Sequence, residues 1–372
     1  MREGATLTLQ AWLAHRSETT RRLASALAIL ALAVVIGSGV SGGVQSNKAP
    51  TGPGKDDVSF YVRVIARVKQ GQPYYPVVAD EVRALHGSLK PFLTVRTPWL
   101  ATGLAALPGP AWGVWIMRAF AAAALAAWAW RLRILKLEPL PMTFAAVMLA
   151  SGYGGVLMGQ AYVMHEAWAG LLIALALALH RPGRWWPSLV LALLAALERE
   201  LAAPFLLVMA GFALAERRPR EMAAWLAAFA VFALALWRHA RHVEALYLPS
   251  DTASPGWLGG NGWPFVLHAA TWNALTLAWP ASVVVLLPLA LLGLAAAEDT
   301  AVKRAAVTVF GFCAALLLVG RPENYYWGMM IAPLWALGLI AAPRVLRRLA
   351  RDLGGSPPPT GRSTVTGLAA NR

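Results

Sequence analysis

Long apolar runs, separated by short polar turns, cover most of this chain. The first run, residues 23–40, directly follows Arg21 and Arg22 and is long enough to cross a bilayer. Further apolar runs fill residues 98–342, although several are shorter than the roughly 20 residues of a standard span. The pattern predicts an all-α fold, namely a polytopic transmembrane helical bundle with about 9 to 11 spans.

A polar stretch, residues 41–96, separates the first run from the others. Within it, polar side chains recur every fourth position of residues 57–69 while apolar side chains fill the opposite face, and residues 77–89 repeat this pattern. Both segments are therefore predicted to be amphipathic helices that lie on the membrane surface. The alternative is a surface-lying hairpin without a chemical role.

The composition is that of a membrane protein. Of the 372 residues, 58% are hydrophobic and only 14% are charged, which is too apolar for a soluble globular protein. The formal net charge of +15 comes from short basic clusters between apolar runs, a pattern typical of cytoplasmic membrane loops, so no nucleic-acid partner is expected. The single cysteine, Cys313, lies inside an apolar run, which excludes a disulfide framework and a thiolate metal site.

The basic clusters also predict how the chain is oriented in an inner (cell) membrane, because such clusters stay on the cytoplasmic side. Residues 1–22 are predicted to form a cytoplasmic N-terminal tail, residues 23–343 a multi-pass transmembrane domain, and residues 344–372 a basic, disordered cytoplasmic tail. We interpret the first run as a retained anchor and not a secretory signal, since no clear small-x-small cleavage site follows it.

Two long loops then fall on the outer face: residues 41–96 and residues 238–276, the second of which we interpret as a lid over the first. The number of membrane crossings between Arg96 and Arg131 stays open. An odd number of crossings must join Arg96 to Arg131, but two apolar runs lie between them. Either the first of these runs is a half-length or re-entrant element, or the cluster at Arg131 violates the positive-inside rule.

Most of the ionisable residues that could carry chemistry converge on the outer face. Asp56 and Asp57 lead the first loop, where adjacent carboxylates can act as a general base or hold a divalent cation such as Mg²⁺ or Mn²⁺. Capping of the following helix by one of the two is an equal alternative. Arg96 closes the same loop and is a candidate for substrate binding. No residue set has the spacing of a metal site.

Polar residues at the outer ends of later runs complete the candidate substrate-binding set. The planar guanidinium of Arg199 or Arg321 is suited to bind a phosphate. The alternatives are structural hydrogen bonds, an internal ion pair within residues 198–200, and an interfacial aromatic belt in residues 321–327. The set comprises Gln160, His165, Glu166, Arg199, Glu200, Arg321, Glu323 and Tyr325.

Several short motifs follow one another along residues 23–220, and their order resembles the GT-C superfamily of membrane glycosyltransferases, most of all the polyprenyl-phosphomannose-dependent mannosyltransferases. In chain order the motifs are Asp56-Asp57-Val58-Ser59-Phe60-Tyr61, Gln70-Gly71-Gln72-Pro73-Tyr74-Tyr75, Thr97-Pro98-Trp99, Gly159-Gln160, Glu198-Arg199-Glu200 and Arg217-Arg218-Pro219-Arg220.

The resemblance implies transfer of a sugar from a polyprenyl-phosphate donor to a hydroxyl of a glycan, lipid or protein acceptor at the outer face of the membrane. It also implies Asp56 or Asp57 as the general base, surface helices that gather the lipid carrier, and basic residues that hold its phosphate. A contribution from a divalent metal is left open. The residues alone also allow a transporter or flippase of a lipid-linked or small substrate, or a non-catalytic assembly partner.

Overall fold

The computed structural model describes residues 17–42 and 57–354. Within these ranges the chain is helical and forms no strand, with two isolated bridges, Lys90 to Ala253 and Leu258 to Val319. The predicted all-α class is therefore confirmed for this part of the chain. The α-helices, in chain order, are α1 (Glu18–Gly42), α2 (Asp57–Lys69), α3 (Tyr74–Ala84), α4 (Trp99–Ala105), α5 (Pro110–Arg131), α6 (Pro139–Ser151), α7 (Gly154–Leu157), α8 (His165–Leu179), α9 (Trp186–Glu198), α10 (Ala203–Ala215), α11 (Pro219–Glu244), α12 (Gly262–Ala269), α13 (Ala274–Ala278), α14 (Val283–Ala295), α15 (Thr300–Leu318) and α16 (Ala332–Leu353). Short 3₁₀ segments occupy Phe92–Thr94, Ile134–Lys136, Ala161–Val163, Glu200–Ala202, Ala270–Trp272, Pro280–Ser282 and Pro322–Met330.

Four of the described helices, α1, α5, α11 and α15, are long and apolar enough to cross a bilayer. The segment Pro322–Met330 and α16 form a bent pair, with an angle of 69° at the break, that counts as a fifth candidate. The protein is thus a multi-pass, all-α membrane protein. Its full-length candidates in the described ranges are fewer than the expected 9 to 11 or so, because the other apolar runs form helices of 10–17 residues.

The stretch between Arg96 and Arg131 contains one full-length helix. Helix α4 has 7 residues and rises only about 10 Å, whereas α5 has 22 residues and is a candidate span. Of the two explanations offered by the sequence, these lengths favour the half-length element, while the side of the membrane on which Arg131 lies stays a prediction.

Helices α2 and α3 form the paired element predicted for the first loop. Helix α2 has the expected bounds, but α3 begins at Tyr74 and ends at Ala84, earlier than the predicted 77–89, because His86 adopts a left-handed φ of 54° that stops the helix. Arg63 Nε donates to Glu81 Oε2 at 2.8 Å, and Arg67 Nη1 donates to Glu81 Oε1 at 3.2 Å. These ion pairs hold the two amphipathic helices together.

Two helices continue where the sequence predicted loop or tail. Helix α11 extends to Glu244, so the first seven residues of the stretch 238–276 are helical, because His239 and Val243 are buried on one face. Helix α16 extends to Leu353, since Val345 and Leu349 pack against Ala296 in a small apolar cluster. Asp56, most of the predicted N-terminal tail and residues 355–372 lie outside the described residues.

The core is built around α8, which is buried on almost every side, as expected for a helix that is apolar all round. Close backbone approach sets the packing elsewhere. Helices α14 and α16 cross at Gly293 and Gly338, where a Cβ on Gly338 would overlap the carbonyl oxygen of Ala290. Small residues that let two backbones touch are the usual device for joining helices in a bilayer.

We expect Gly338→Ala to destabilise the protein by about 1 to 3 kcal/mol, because the added methyl group must push α14 and α16 apart. Gly311→Ala is the matched control, since a Cβ there meets nothing within 4 Å and removal of a helical glycine is worth up to about 1 kcal/mol in the opposite direction. Thermal unfolding of both variants in detergent measures the difference. Equal midpoints would contradict the proposed backbone contact.

Candidate functional site

A cavity of about 370 Å³ lies between α2, the end of the first loop, the break after α9 and the turn after α15. Its size is within the usual range for small-molecule sites. It is lined by charged and aromatic side chains from these four parts of the chain, among them Asp57, Tyr61, Arg96, Arg199, Arg321 and Tyr326. Four of these, the aspartate and the three arginines, are sequence-predicted site residues.

Asp57 is the first residue of α2 and is exposed at the cavity, where its carboxylate can reach a bound molecule. Its neighbour in the predicted pair, Asp56, is outside the described residues. Tyr61 lies one helical turn further into the cavity. Burial, opposed in part by the charge of Arg96, raises the pKa of the Tyr61 phenol well above its usual value, so Tyr61 contributes a neutral hydroxyl.

The backbone around Arg96 is fixed from three sides. Tyr74 Oη donates to the carbonyl oxygen of Arg96 at 2.7 Å, and Thr97 Oγ1 donates to the Leu197 carbonyl oxygen at 2.8 Å. His239 Nε2 lies 3.0 Å from the Val95 carbonyl oxygen. These bonds join the first loop to α3, α9 and α11, and they set where the Arg96 side chain enters the cavity.

The Arg96 guanidinium keeps donor capacity that no described residue uses. Its side chain is 11% exposed, and Nη2 lies 3.8 Å from Glu166 Oε1. Nη1 donates to the Leu93 carbonyl oxygen at 3.2 Å, while the buried Nε has no hydrogen-bond partner among the described residues. Because a buried unsatisfied donor is costly, this group is suited to bind an anion.

Arg199, in contrast, is paired with two protein carboxylates. Its Nε donates to Glu166 Oε1 at 2.6 Å, Nη1 donates to Glu200 Oε1, and the side chains of Arg199 and Glu166 are only 1% and 0% exposed. The pairing expected within residues 198–200 therefore extends to α8, and Glu198 instead approaches His165, with Oε1 2.7 Å from Nδ1. Arg199 is built into the cavity wall.

Arg321 begins the turn Pro322–Met330 and connects the cavity to the second loop. Its backbone N–H donates to Asn324 Oδ1 at 3.1 Å, its Nη1 donates to Ser254 Oγ at 3.3 Å, and its guanidinium lies 5.8 Å from the centre of the Trp257 ring. Nε is 3.0 Å from Glu323 Oε1, whose side chain is 62% exposed. The turn thus presents one arginine to the cavity and leaves Glu323 at the surface.

Glu200 also lines the cavity, whereas Gln160, His165, Glu166, Glu323 and Tyr325 do not. Gln160 is exposed in the turn before Ala161–Val163. His165 is buried beneath Tyr61, with ring centres 5.1 Å apart, and supports α2 from below. Tyr325 stacks on His268 with ring centres 4.2 Å apart and on Trp272 at 5.5 Å, which fixes the turn in place.

Five aromatic lining residues were not predicted as site residues, namely Phe60, Tyr61, Trp257, Tyr326 and Trp327. Tyr61 was assigned to the apolar face of α2, and the signal that could have identified it was its place one turn after Asp57. Tyr326 was visible as an aromatic residue in the polar turn, next to the chosen Tyr325. Trp257 reaches the cavity only through the fold of the second loop.

The second loop is fastened to the first by an ion pair with two hydrogen bonds. Arg83 Nε donates to Asp251 Oδ1 and Arg83 Nη2 donates to Asp251 Oδ2, both at 2.9 Å. Lys90 Nζ donates to the carbonyl oxygens of Leu248 and Asp251 at 3.0 and 3.1 Å. These contacts hold the loop so that Trp257 lies at the cavity, and the interpretation of the loop as a lid stays a prediction.

A divalent metal at this site stays an expectation. Among the described residues no group of three or more His, Cys, Asp or Glu side chains is placed to hold a metal ion. The carboxylates of Glu166 and Glu200 are engaged by Arg199. The residue pair that suggested a metal includes Asp56, which lies outside the described ranges.

Comparisons with family models, with curated proteins and with solved structures gave no match for this chain.

We expect the lid contact to be independent of pH above about pH 4 and to be lost in strong acid. The Arg83 hydrogen bonds and the Leu248 N–H lower the pKa of Asp251 to about 2, so the contact contributes stability above the ordinary carboxyl pKa that declines as the pH falls toward 2. Hydrogen exchange of residues 246–257 measured at graded pH should show this release.

Asp251→Asn should release the loop at neutral pH and so make hydrogen exchange of residues 246–257 faster than in the wild type. Arg241→Gln is the control, because Arg241 is an exposed residue 3.7 Å from Glu244 in a surface pair of little energetic value. Faster exchange in both variants, or in neither, would show that the Arg83–Asp251 contact does not hold the loop.

Proposed function

We propose that this protein is an integral membrane glycosyltransferase that transfers a sugar from a polyprenyl-phosphate donor to an acceptor hydroxyl. One observation carries the proposal: the carboxylate of Asp57 and the guanidinium of Arg96, whose buried Nε has no acceptor among the described residues, face the same cavity. Sugar transfer from a lipid phosphate needs both groups, one to receive a proton and one to stabilise the departing phosphate.

The proposed reaction is a single displacement with inversion at the sugar. The acceptor oxygen forms a bond to the anomeric carbon as the bond from that carbon to the phosphate oxygen breaks. The carboxylate of Asp57 or Asp56 takes the acceptor proton, and the phosphate leaves with the electron pair of the broken bond. Arg96 and Arg321 then stabilise the charge that develops on the phosphate oxygens.

Arg199 has a positioning role in this proposal. Its charge is balanced by Glu166 and Glu200, so it has less attraction left for a phosphate than Arg96 has. Glu166 also lies 3.8 Å from Arg96 Nη2, and it therefore orients Arg96 and Arg199 together. His165 supports the site from behind through its contact with Tyr61.

The sugar and the lipid would occupy different surroundings. Tyr326 and Trp257 offer ring faces and polar edges to a sugar, an arrangement common in carbohydrate recognition. The apolar faces of α2 and α3 are packed into a shared apolar cluster with Val95 and Val243, so in this proposal the polyprenyl chain lies in the bilayer beside the cavity. The donor can be a hexose or a pentose, and the acceptor a glycan, a lipid or a protein.

In the full proposal, the reaction takes place at the outer face of an inner (cell) membrane with both termini in the cytoplasm. Mg²⁺ or Mn²⁺ is a candidate cofactor, with Asp56 and Asp57 as its carboxylate ligands. The surface-lying position of α2 and α3 is part of the same proposal, because a lipid carrier must reach the cavity sideways from the bilayer.

A transporter or flippase is the second candidate. The bend of 69° between Pro322–Met330 and α16 beside the cavity favours it, since broken helices are typical of transporter binding sites. The same arginines would then line a path for a lipid-linked or small substrate.

Asp57→Asn or Asp56→Asn, made singly, should lower transfer by about 10²- to 10⁴-fold in one of the two variants, because the amide cannot accept the acceptor proton. Asp80→Asn is the control, since Asp80 is an exposed carboxylate on α3 that pairs with Arg67 at 3.1 Å. The measurement is product formation from a panel of radiolabelled polyprenyl-phosphate sugars in proteoliposomes. Full activity of both Asp56 and Asp57 variants would overturn the assignment of the base.

Arg96→Gln should lower kcat/KM for the lipid donor by about 10- to 100-fold, as expected for a lost charge-assisted hydrogen bond to phosphate. Arg118→Gln is the matched control, because Arg118 is exposed on α5 and lies 5.2 Å from the Trp115 ring, outside the cavity. The same assay, run over a range of donor concentrations, separates the two variants. An unchanged value for Arg96→Gln would remove it from phosphate binding.

Movement of the labelled lipid across the vesicle membrane without a new glycosidic product would support the transporter and contradict sugar transfer. A new product without net movement of the lipid would do the reverse.

A further inference from the structure

A second pocket lies at the other end of α15, the helix that leads into the site cavity. Helix α15 has 19 residues and spans roughly 28 Å. Val319, directly after its last residue, lines the site cavity, while Asp299, directly before its first, lines the second pocket. The two pockets are therefore separated by about the thickness of the hydrocarbon core of a bilayer.

This second pocket, which we call the basic groove, has a volume of about 400 Å³ and is bounded by α16, the segment Ile134–Lys136 and the turn between α14 and α15. Its walls are apolar and include Leu132, Leu137, Leu337 and Ile340. Its open end carries Arg344, Arg348 and Arg351. These arginines are spaced four and three residues apart, so they form one stripe along α16.

Two acidic residues, Glu298 and Asp299, also line the groove. Asp299 is engaged by the protein, because its Oδ1 accepts from the backbone N–H groups of Ala301 at 2.8 Å and Val302 at 3.1 Å and lies 3.3 Å from Arg131 Nε. Glu298 is exposed. The carboxylates thus leave the arginine stripe with an excess of positive charge.

The arginines at the open end are accessible to a ligand. Arg344 and Arg351 are exposed, and Arg348 is half-buried with Nε 4.0 Å from Asp352 Oδ2. Arg347, which lies on the same helix but does not line the groove, donates from Nε to the Pro343 carbonyl oxygen at 3.2 Å. The chain therefore contains a matched arginine on α16 outside the groove.

We propose that the basic groove binds one anionic phospholipid of the leaflet opposite the site cavity. The arginine stripe would hold the phosphodiester headgroup, and an acyl chain would lie along the apolar walls. The apolar walls complement an acyl chain, and the arginines at the rim, at the depth of a membrane interface, complement an anionic headgroup. The proposal does not depend on sugar transfer, and neither outcome for one decides the other.

The test uses the purified full chain in a neutral detergent, titrated with phosphatidylglycerol, phosphatidylethanolamine, phosphatidylcholine or inorganic phosphate. Bound lipid is counted by native mass spectrometry, and thermal unfolding gives the dependence on lipid concentration. We expect phosphatidylglycerol to be retained in preference to the zwitterionic lipids. Each of Arg344→Gln and Arg351→Gln should weaken its apparent affinity roughly fivefold, the effect of one basic residue near an anionic headgroup.

Arg347→Gln removes the same charge from the same helix and should leave the affinity unchanged. Ala341→Phe keeps every charge but fills the groove, and it should also displace the lipid. Equal weakening by Arg347→Gln would assign the effect to general surface charge and overturn the proposal. Equal retention of phosphatidylethanolamine, or an equal stabilisation by inorganic phosphate, would overturn it as well.

Discussion

The buried charge of Arg199 is the constraint on which the rest of the site depends. A guanidinium inside an apolar bundle costs several kcal/mol unless carboxylates pair with it. Glu166 meets this requirement from the first turn of α8, and Glu200 meets it from the turn after α9. To bring Arg199 between them, α9 has to end at Glu198, and Arg199 takes an extended conformation with φ −143° and ψ 114°. The ion pair thus explains why a long apolar run is divided into two short helices.

The carboxylate of Glu166 also affects the first loop, which lies next to the ion pair. Glu166 also attracts Arg96, but the two side chains stay 3.8 Å apart, which is too far for a hydrogen bond. The first loop is therefore held near Glu166 without a direct bond from Arg96. The backbone bonds from Tyr74 and Thr97 hold that loop in place without help from the charges. Such preorganised groups lose little freedom when a ligand binds. Rigidity at the cavity therefore comes from helices on both sides of it, and Trp257 of the second loop adds a further wall.

The sequence was most informative where a simple periodicity determines the structure. The bounds of α2 followed from a polar residue at every fourth position, and the all-α class from the length of the apolar runs. The convergence of Asp57, Arg96, Arg199 and Arg321 on one cavity followed in outline from the basic clusters, because those clusters place the same residues on one side of the bundle.

The features that could not be predicted from the sequence depend on contacts between distant parts of the chain. The number of full-length helices was overestimated because an apolar run looks the same whether it crosses a bilayer or ends at a buried ion pair. Which arginine is paired and which can bind a ligand depends on the carboxylates that lie within 3 Å of each. No spacing rule predicts that Glu166 bonds to Arg199 at 2.6 Å and stays 3.8 Å from Arg96. The continuation of α16 to Leu353 likewise rests on Val345 and Leu349 finding Ala296.

The contact between Gly293 and Gly338 has a mechanical consequence. It locks the first half of α16, next to the cavity turn, against α14, because backbones in contact cannot slide past one another without losing their packing. Pro343 follows five residues later and removes one backbone hydrogen bond, which makes that point the most compliant in the helix. Changes in bilayer thickness or lateral pressure that act on the second half of α16, after Pro343, are therefore absorbed as bending at Pro343, and the cavity wall is insulated from the fluctuations of the membrane around it.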